Sequence, residues 1–321
     1  MTAQIRLPYV TLDVFTTERF SGNPLGVVRL PPGQSLTQVQ KQTIAREFNY
    51  SETIFIHETE GQTAEHRIDI FMVDTELPFA GHPTIGAAWL LSSSQSSSDD
   101  SGIEKKIITK AGPIPYQFDT ARSMAFVNVP HDVHVHKHEV SSEEAAEAGI
   151  PHLVAEKILG PSSVVSIVKG LTFAMVELPS NDILSTVSGS LDAKKLRGSL
   201  DHPWFDGGLL GTWYFVNNGR NEDGTVQVSA RMVTHNGQLE DPATGSAASA
   251  FSVYFARRVL GDGEKDGPGS SVTSFDITQG EDMGRLSKIK TEVELDSKTA
   301  VVKRVVLGGA AVQVMEGHVV I

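Results

Sequence analysis

A chain of 321 residues is about twice the length of a typical domain, so two lobes are expected. Hydrophobic residues at 40% and charged residues at 21% suit a globular protein with a buried core, and a net charge of −12 sets the surface against nucleic-acid backbones and anionic lipid. With no cysteine in the chain, disulfides, thiolate metal sites and cysteine nucleophiles are excluded.

The opening stretch, MTAQIRLPYVTLDVF, shows no basic segment leading into a sustained apolar run. No window approaches the roughly 18 apolar residues of a membrane span, so a cytoplasmic address is expected. Residues 9–15 have the β-branched and aromatic character of a strand, FSGNP (20–24) reads as a turn, and 25–30 as a second strand. A helix is expected over 35–48, with Leu36, Val39, Ile44 and Phe48 forming an imperfect apolar face. Asn49 and Tyr50 break it, and a strand follows at 53–57. Glu47 then lies at the helix C-terminus, where a carboxylate meets the negative end of the helix dipole. Residues 68–73 form the next strand, followed by the loop LPFAGHPT and an apolar helix from about Thr84. The polar run SSSQSSSDDS (92–101) reads as a solvated loop. Strands at 106–109 and 124–129 precede a break near HDVHVHKHEV, which sets the lobe boundary: an N-terminal lobe over 1–132, completed by the last C-terminal strands, and a C-terminal lobe over 133–321.

The second half repeats the scheme. SSEEAAEAGI reads as a helix start, strands are expected at 164–169, 173–178, 212–216 and 226–232, and the loop LEDPATGSA leads into a small-residue helix over 246–259. After the glycine-rich run GDGEKDGPGS, strands include 299–307 and 311–315. PTIGAA (83–88) aligns with ATGSAA (243–248), placing Thr84 and Thr244 half a chain apart. Each copy joins a polar loop to the start of an alanine-rich helix. Helix N-termini carry unpaired N–H groups and partial positive charge, so such ends can cradle a carboxylate or phosphate. Gly81, Gly86, Ala243, Gly245, Ser246 and Ala247 would let a ligand approach the backbone closely. The same residues also suit ordinary capped helices, with Thr84 or Thr244 as caps.

Other motifs carry less. His134, His136 and His138 would share one face of a strand and could converge on zinc, but the spacing matches no familiar ligand set, so the tract reads as a solvated connector with no metal. DGGLLGTW (206–213) lacks the dinucleotide fingerprint, and neither a Walker loop nor a GxSxG elbow occurs. Glu143, Glu144 and Glu147 read as an exposed helix face.

FSGNP (20–24), REFNYSET (46–53), ELPFAGHPT (76–84), LEDPATGSA (239–247) and ITQGEDMGR (277–285), spread over nearly the whole chain in this order, closely resemble the PhzF-like proteins of phenazine biosynthesis. The resemblance implies an α+β fold of the diaminopimelate epimerase-like kind: two pseudo-symmetric lobes, each a curled mixed sheet around a central helix, with the active site between them. It implies a cofactor-free isomerase that moves a proton on a small anionic metabolite, a cyclic or amino-acid-like carboxylate, and a homodimer without nucleic-acid or membrane partners. The resemblance places the general acid/base on Glu47 and carries over His82, Asp241 and Ser246; His82 and Asp241 are expected as further catalytic residues, and Ser246, together with Gly81, Thr84, Gly245 and Ala247 at the two helix starts, in substrate binding. Related epimerases use two thiols, one per lobe; Ala80 and Pro242 stand at those positions, which leaves a shuttle through one carboxylate. That role asks for a Glu47 carboxyl partly desolvated in the cleft. A lyase acting on a similar carboxylate and a binding protein without turnover are the alternatives.

Overall fold

A computed structural model describes residues 4–61, 63–93, 104–196, 198, 200–204, 208–235, 237, 239–261 and 270–321. Most of the polar run expected at 92–101 and of the glycine-rich run after the second long helix lies outside them, as do residues 206 and 207. Packing divides the chain into two units. Unit 1 holds residues 1–128 and 308–321, and unit 2 holds 129–307. Among the described residues no helix is long and apolar enough to cross a membrane.

In unit 1, β1 (Arg6–Val14) pairs antiparallel with β2 (Asn23–Leu30), and β2 pairs parallel with β3 (Glu52–His57) across the crossover helix α1 (Gln38–Phe48). Thr37 starts α1 with a reciprocal capping box: its hydroxyl accepts from the Gln40 N–H and Gln40 Oε1 accepts from the Thr37 N–H. That cap sets the start three residues later than the expected 35. Asn49 ends the helix in the left-handed conformation at φ 54°. Ile44, Ala45 and Phe48 pack onto Leu7, Val28, Leu30, Phe55 and Phe71. Val39, expected on that face, is 74% exposed.

β3 pairs antiparallel with β4 (Glu65–Phe71), which carries the two-residue β5 (Glu76–Leu77). Then comes α2 (Gly81–Ser93), and β6 (Lys105–Thr109) returns parallel to β4. β7 (Gly112–Asp119), which has no counterpart among the expected strands, joins β6 to β8 (Met124–Asn128). The pairing closes through β17 (Val302–Val320), which bonds β8 on one side and β1 on the other, so α2 lies enclosed by β1, β2, β3, β6, β7 and β8. A helix apolar all round, as GHPTIGAAWLL is, belongs in such a place.

Unit 2 opens with β9 (His134–Val140), the short helices α3 (Ser142–Glu147) and α4 (His152–Ala155), and β10 (Ser162–Val168), which pairs with β9 and with β11 (Leu171–Glu177). The histidine tract is therefore a strand, not a solvated connector, and His136 is buried. α5 (Asn181–Ser185) and α6 (Ala193–Leu196) make the crossover to β12 (Leu209–Arg220), parallel to β11. β13 (Val226–Thr234) follows antiparallel and carries the two-residue β14 (Glu240–Asp241). α7 (Gly245–Gly261) then leads to β15 (Ser270–Gln279), parallel to β13, and β16 (Ser287–Asp296) pairs with β15. The strands expected at 299–307 and 311–315 are one strand, β17.

The run β1 to β7 and the run β10 to β16 thus share one order of pairings: antiparallel, parallel, antiparallel, a two-residue spur, then parallel across a central helix and antiparallel. In unit 2 the central helix is α7, packed by β10, β11, β15 and β16. Phe251 at its middle meets Phe215, Phe275 and Trp213 at ring separations of 4.7, 5.9 and 6.1 Å.

Candidate active site

The repeat's landmarks fix how its two copies correspond. The spurs begin at 76 and 240 and the central helices at 81 and 245, an offset of 164 residues in both cases. The sequence alignment of Thr84 with Thr244 is out by four positions. In the structural register His82 corresponds to Ser246, and each is the second residue of its central helix.

In unit 1, three of the motifs meet. β2 and β3 run parallel with Leu25 beside Glu52, which brings FSGNP next to the end of REFNYSET, and Ser51 Oγ donates to Asn23 Oδ1 at 3.4 Å. Gly22 makes that turn at φ 64°, where a Cβ would come within 2.3 Å of the Val14 carbonyl oxygen. The first turn of α2 brings in the third motif: Glu52 Oε2 lies 3.0 Å from His82 Nδ1. The histidine is 4% exposed and the Glu52 side chain 17%. An ionised carboxylate can only accept, so Nδ1 carries the proton in this contact and Nε2 is left as the outer ring nitrogen. Among the described residues Nε2 is buried without a hydrogen-bond partner. Burial pushes the Glu52 carboxyl up, but the hydrogen bond and charge of His82, with a hydrogen bond from Ser51, outweigh it and hold the group below its ordinary value.

Glu47 is not part of this cluster. It is exposed on the last turn of α1 and borders a groove of about 600 Å³ with Tyr9, Val39, Thr43 and Val319. The partly desolvated setting required of it is absent, and the carboxylate with that setting is Glu52, five residues on in the same motif. Thr84 is also corrected. The helix starts at Gly81 rather than near Thr84, Pro83 falls in the first turn where a missing N–H costs nothing, and Thr84 is fully buried. Its hydroxyl and its N–H both donate to the Ala80 carbonyl, at 2.7 and 3.3 Å, so it is neither a cap nor a free donor. Gly81 is buried at the helix start.

In unit 2, Asp241 ends the spur and its Oδ2 accepts from Thr244 Oγ1 at 2.6 Å. Gly245 and Ala247 are buried, so they offer backbone alone, while Ser246 is half-buried in the first turn of α7. The loop between spur and helix is braced by ITQGEDMGR, a motif the sequence reading tied to no role. Gln279 is bonded to the loop three times, and Gly280, at φ 76°, lies so close that a Cβ would stand 2.7 Å from the Pro242 carbonyl oxygen and 2.4 Å from that of Arg285. Both carboxylate oxygens of Glu240 accept from one edge of the Arg231 guanidinium, Nε and Nη2, at 2.8 and 2.7 Å.

His134, His136 and Asp201 bring ligand atoms within 4.8 Å of one another. The bonding there is that of a structural network. His136 Nδ1 accepts from the Asp201 N–H at 3.0 Å, Nε2 faces Ser166 Oγ at 3.1 Å, and His134 Nε2 faces Asp201 Oδ2 at 2.9 Å while its ring stacks on Trp204. Both nitrogens of His136 are already in use, which disfavours a metal.

Two repeated units, each with a mixed sheet curled around a buried helix, define the epimerase-like class of folds. A hydroxyproline epimerase from Agrobacterium vitis shares the fold at TM-score 0.57 and 13% identity, over 98% of this chain and 93% of its own. A phenazine biosynthesis protein of the PhzF family from Bacillus anthracis matches at TM-score 0.75 and 21% identity over 99% and 100%. The phenazine biosynthesis-like protein family matches residues 12–317, and the chain belongs to it. Among its relatives are an uncharacterized isomerase of Mesorhizobium japonicum, 29% identical over 98% of both chains, and the trans-2,3-dihydro-3-hydroxyanthranilate isomerase of Pseudomonas aeruginosa, 27% identical over 89% of this chain and 90% of the relative. The chain is accordingly an isomerase of this family.

Proposed function

We propose that this isomerase moves a proton on a small cyclic or amino-acid-like carboxylate without a cofactor, with Glu52 in the role assigned to Glu47 from sequence. The observation that carries the reading is the buried Glu52–His82 contact at the start of the central helix. A carboxyl held below its ordinary value is ionised in the free enzyme, so it acts first as a base: it takes a proton from a substrate carbon and returns it at another. His82 keeps one ring nitrogen on Glu52 and directs the other at a polar substrate group. Within unit 2 taken by itself, the first-turn N–H groups of Gly245, Ser246 and Ala247 and the Ser246 hydroxyl suit a carboxylate, and Asp241 suits a donor such as an amine or hydroxyl. The activity of the Pseudomonas relative supports a substrate that combines these groups.

The test compares Glu52→Gln with Glu47→Gln. Both are assayed in D2O against trans-2,3-dihydro-3-hydroxyanthranilate and a panel of small cyclic and amino-acid-like carboxylates, with deuterium in the product read by mass spectrometry. Glu52→Gln is expected to lower kcat by about 10²–10⁴-fold, the usual worth of a general base, and to abolish label incorporation. Glu47→Gln is expected to remain near wild type. The opposite ranking would return the role to Glu47 and end this assignment.

A further inference from the structure

We infer that Gln279 is a positioning residue that fixes the direction of the Thr244 hydroxyl and thereby holds Asp241 as a charged hydrogen-bond acceptor. The inference rests on the assignment of Asp241 to the substrate site made above. It adds a residue to that site and specifies what Asp241 offers there.

Gln279 ends β15 and is 1% exposed. Its amide orientation is forced by two backbone groups of opposite kind. The Thr244 N–H at 3.0 Å requires an acceptor and takes Oε1; the Asp241 carbonyl at 2.7 Å requires a donor and takes Nε2. The amide cannot be turned over without setting donor on donor and acceptor on acceptor. The second Nε2 hydrogen then points to Thr244 Oγ1 at 3.3 Å, so the hydroxyl accepts on that side. A hydroxyl has one proton, and here it is left for Asp241 Oδ2, 2.6 Å away. That distance is the length expected of an O–H donor on an ionised carboxylate.

The direction of this relay runs from Gln279 through Thr244 to Asp241. A carboxylate held this way keeps its negative charge and receives hydrogen bonds, so it selects substrates that present an ammonium, amine or hydroxyl and does not serve as the acid that protonates carbon. Gly280 reinforces the arrangement, since its missing side chain lets the end of β15 lie directly against Pro242. The motif ITQGEDMGR marks Gln279 but gives it no role, because its partners are 35 and 38 residues away.

Two substitutions cut the relay at different points and one preserves it. Gln279→Glu keeps the shape but replaces the Nε2 donor by an acceptor, which draws the Thr244 proton away from Asp241. Thr244→Val removes the hydroxyl at nearly constant volume, and Thr244→Ser keeps it. The ligand-free measurement is the titration of the Asp241 carboxyl by carbon-13 NMR in the full chain. Arg231, with Glu240 and with Asp282 at 3.6 Å, is untouched by these substitutions; Gln279→Glu adds a carboxylate of its own, so the uncharged Thr244→Val is the arm that reads the relay free of added charge. Gln279→Glu and Thr244→Val are each expected to raise the Asp241 midpoint by about one pH unit, and Thr244→Ser to leave it in place. Midpoints that coincide across all four proteins would overturn the inference.

The kinetic arm uses the substrate that responds to Glu52→Gln, with Asp241→Asn alongside. Gln279→Glu and Thr244→Val are expected to raise KM about tenfold or more with a smaller change in kcat, to be non-additive when combined, and to be relieved by Thr244→Ser. Loss with Asp241→Asn but none with the relay variants would sink the role of Gln279 alone. Full activity of Asp241→Asn would remove Asp241 from the site and the inference with it, while leaving the Glu52 result standing.

Discussion

Beneath α1, Asp69 faces Lys41 and His57 Nε2 (2.7 Å) through one oxygen and Arg67 (3.3 Å) through the other. Burial pushes this carboxyl up, and the hydrogen bonds and charges of His57 and Lys41 overcome that and hold it far below the carboxylate range. Lys41 is buried to the same degree as Asp69, so Asp69→Asn would leave an ammonium without its counter-charge, at a cost of about 3–5 kcal/mol in thermal or urea unfolding. The folded-state value lies below the unfolded one. The stabilisation is therefore complete above the ordinary carboxylate range and is lost as pH falls through that range toward the folded value. Wild-type stability should drop more steeply than that of Asp69→Asn below about pH 5, and parallel curves would show that the pair does not contribute. This network also explains why REFNYSET was legible as a segment while its buried carboxylate was not. Lys41, on the same helix as Glu47, is committed to Asp69. α1 ends at Asn49, and the next carboxylate in the motif starts β3. Which glutamate is buried depends on a histidine 30 residues further on, and no local pattern reports that distance.

Most of the elements could be read from periodicity, because β2, β3, β10 and β11 are β-branched runs between turn residues and α1 carries its cap in the sequence. The starts of the central helices were harder. α2 and α7 begin at Gly81 and Gly245, not near Thr84 and at Ser246 as expected, since both helices enter the interior and their first turns are packed rather than solvated. The histidine tract was misread for a related reason: alternating polar residues suggest solvent, but His136 is satisfied inside by Ser166 and the Asp201 N–H. The weight borne by a central helix is testable at Phe251. Its ring sits among Trp213, Phe215, Phe255 and Phe275 with no exposure, so Phe251→Ala should destabilise unit 2 by about 3–5 kcal/mol through lost burial and the cavity left behind. Chemical denaturation followed by tryptophan fluorescence, to which Trp213 contributes beside Trp89 and Trp204, measures it. A loss under 1 kcal/mol would mean that the surrounding strands collapse onto α7 without it.

Across the whole molecule, the chain's two ends are one structural feature. β1 is registered against β17 from Arg6 opposite Val320 to Val14 opposite Ala311, and Phe15 continues the ladder by donating to the Ala310 carbonyl. Gly308 and Gly309 let this strand pass directly beneath the rings of Phe126 and Phe15, at distances where a Cβ would stand 2.5 and 2.4 Å from them. Unit 1 therefore cannot close its sheet around α2 until residues 308–320 have crossed back over some 300 positions of chain, a contact whose loop-closure entropy must be met before it returns any stability. The topology makes unit 2 contiguous and unit 1 discontinuous. Removing residues 308–321 should thus act on one unit. β1 would lose its partner, the buried face of β17 would vanish, and the damage should match the about 5–15 kcal/mol that holds a domain together. Hydrogen exchange read by mass spectrometry should then show β1, β2 and β3 unprotected while β10 to β13 keep most of their protection. Retained protection in β1 would mean that the sheet closes around α2 without its final strand.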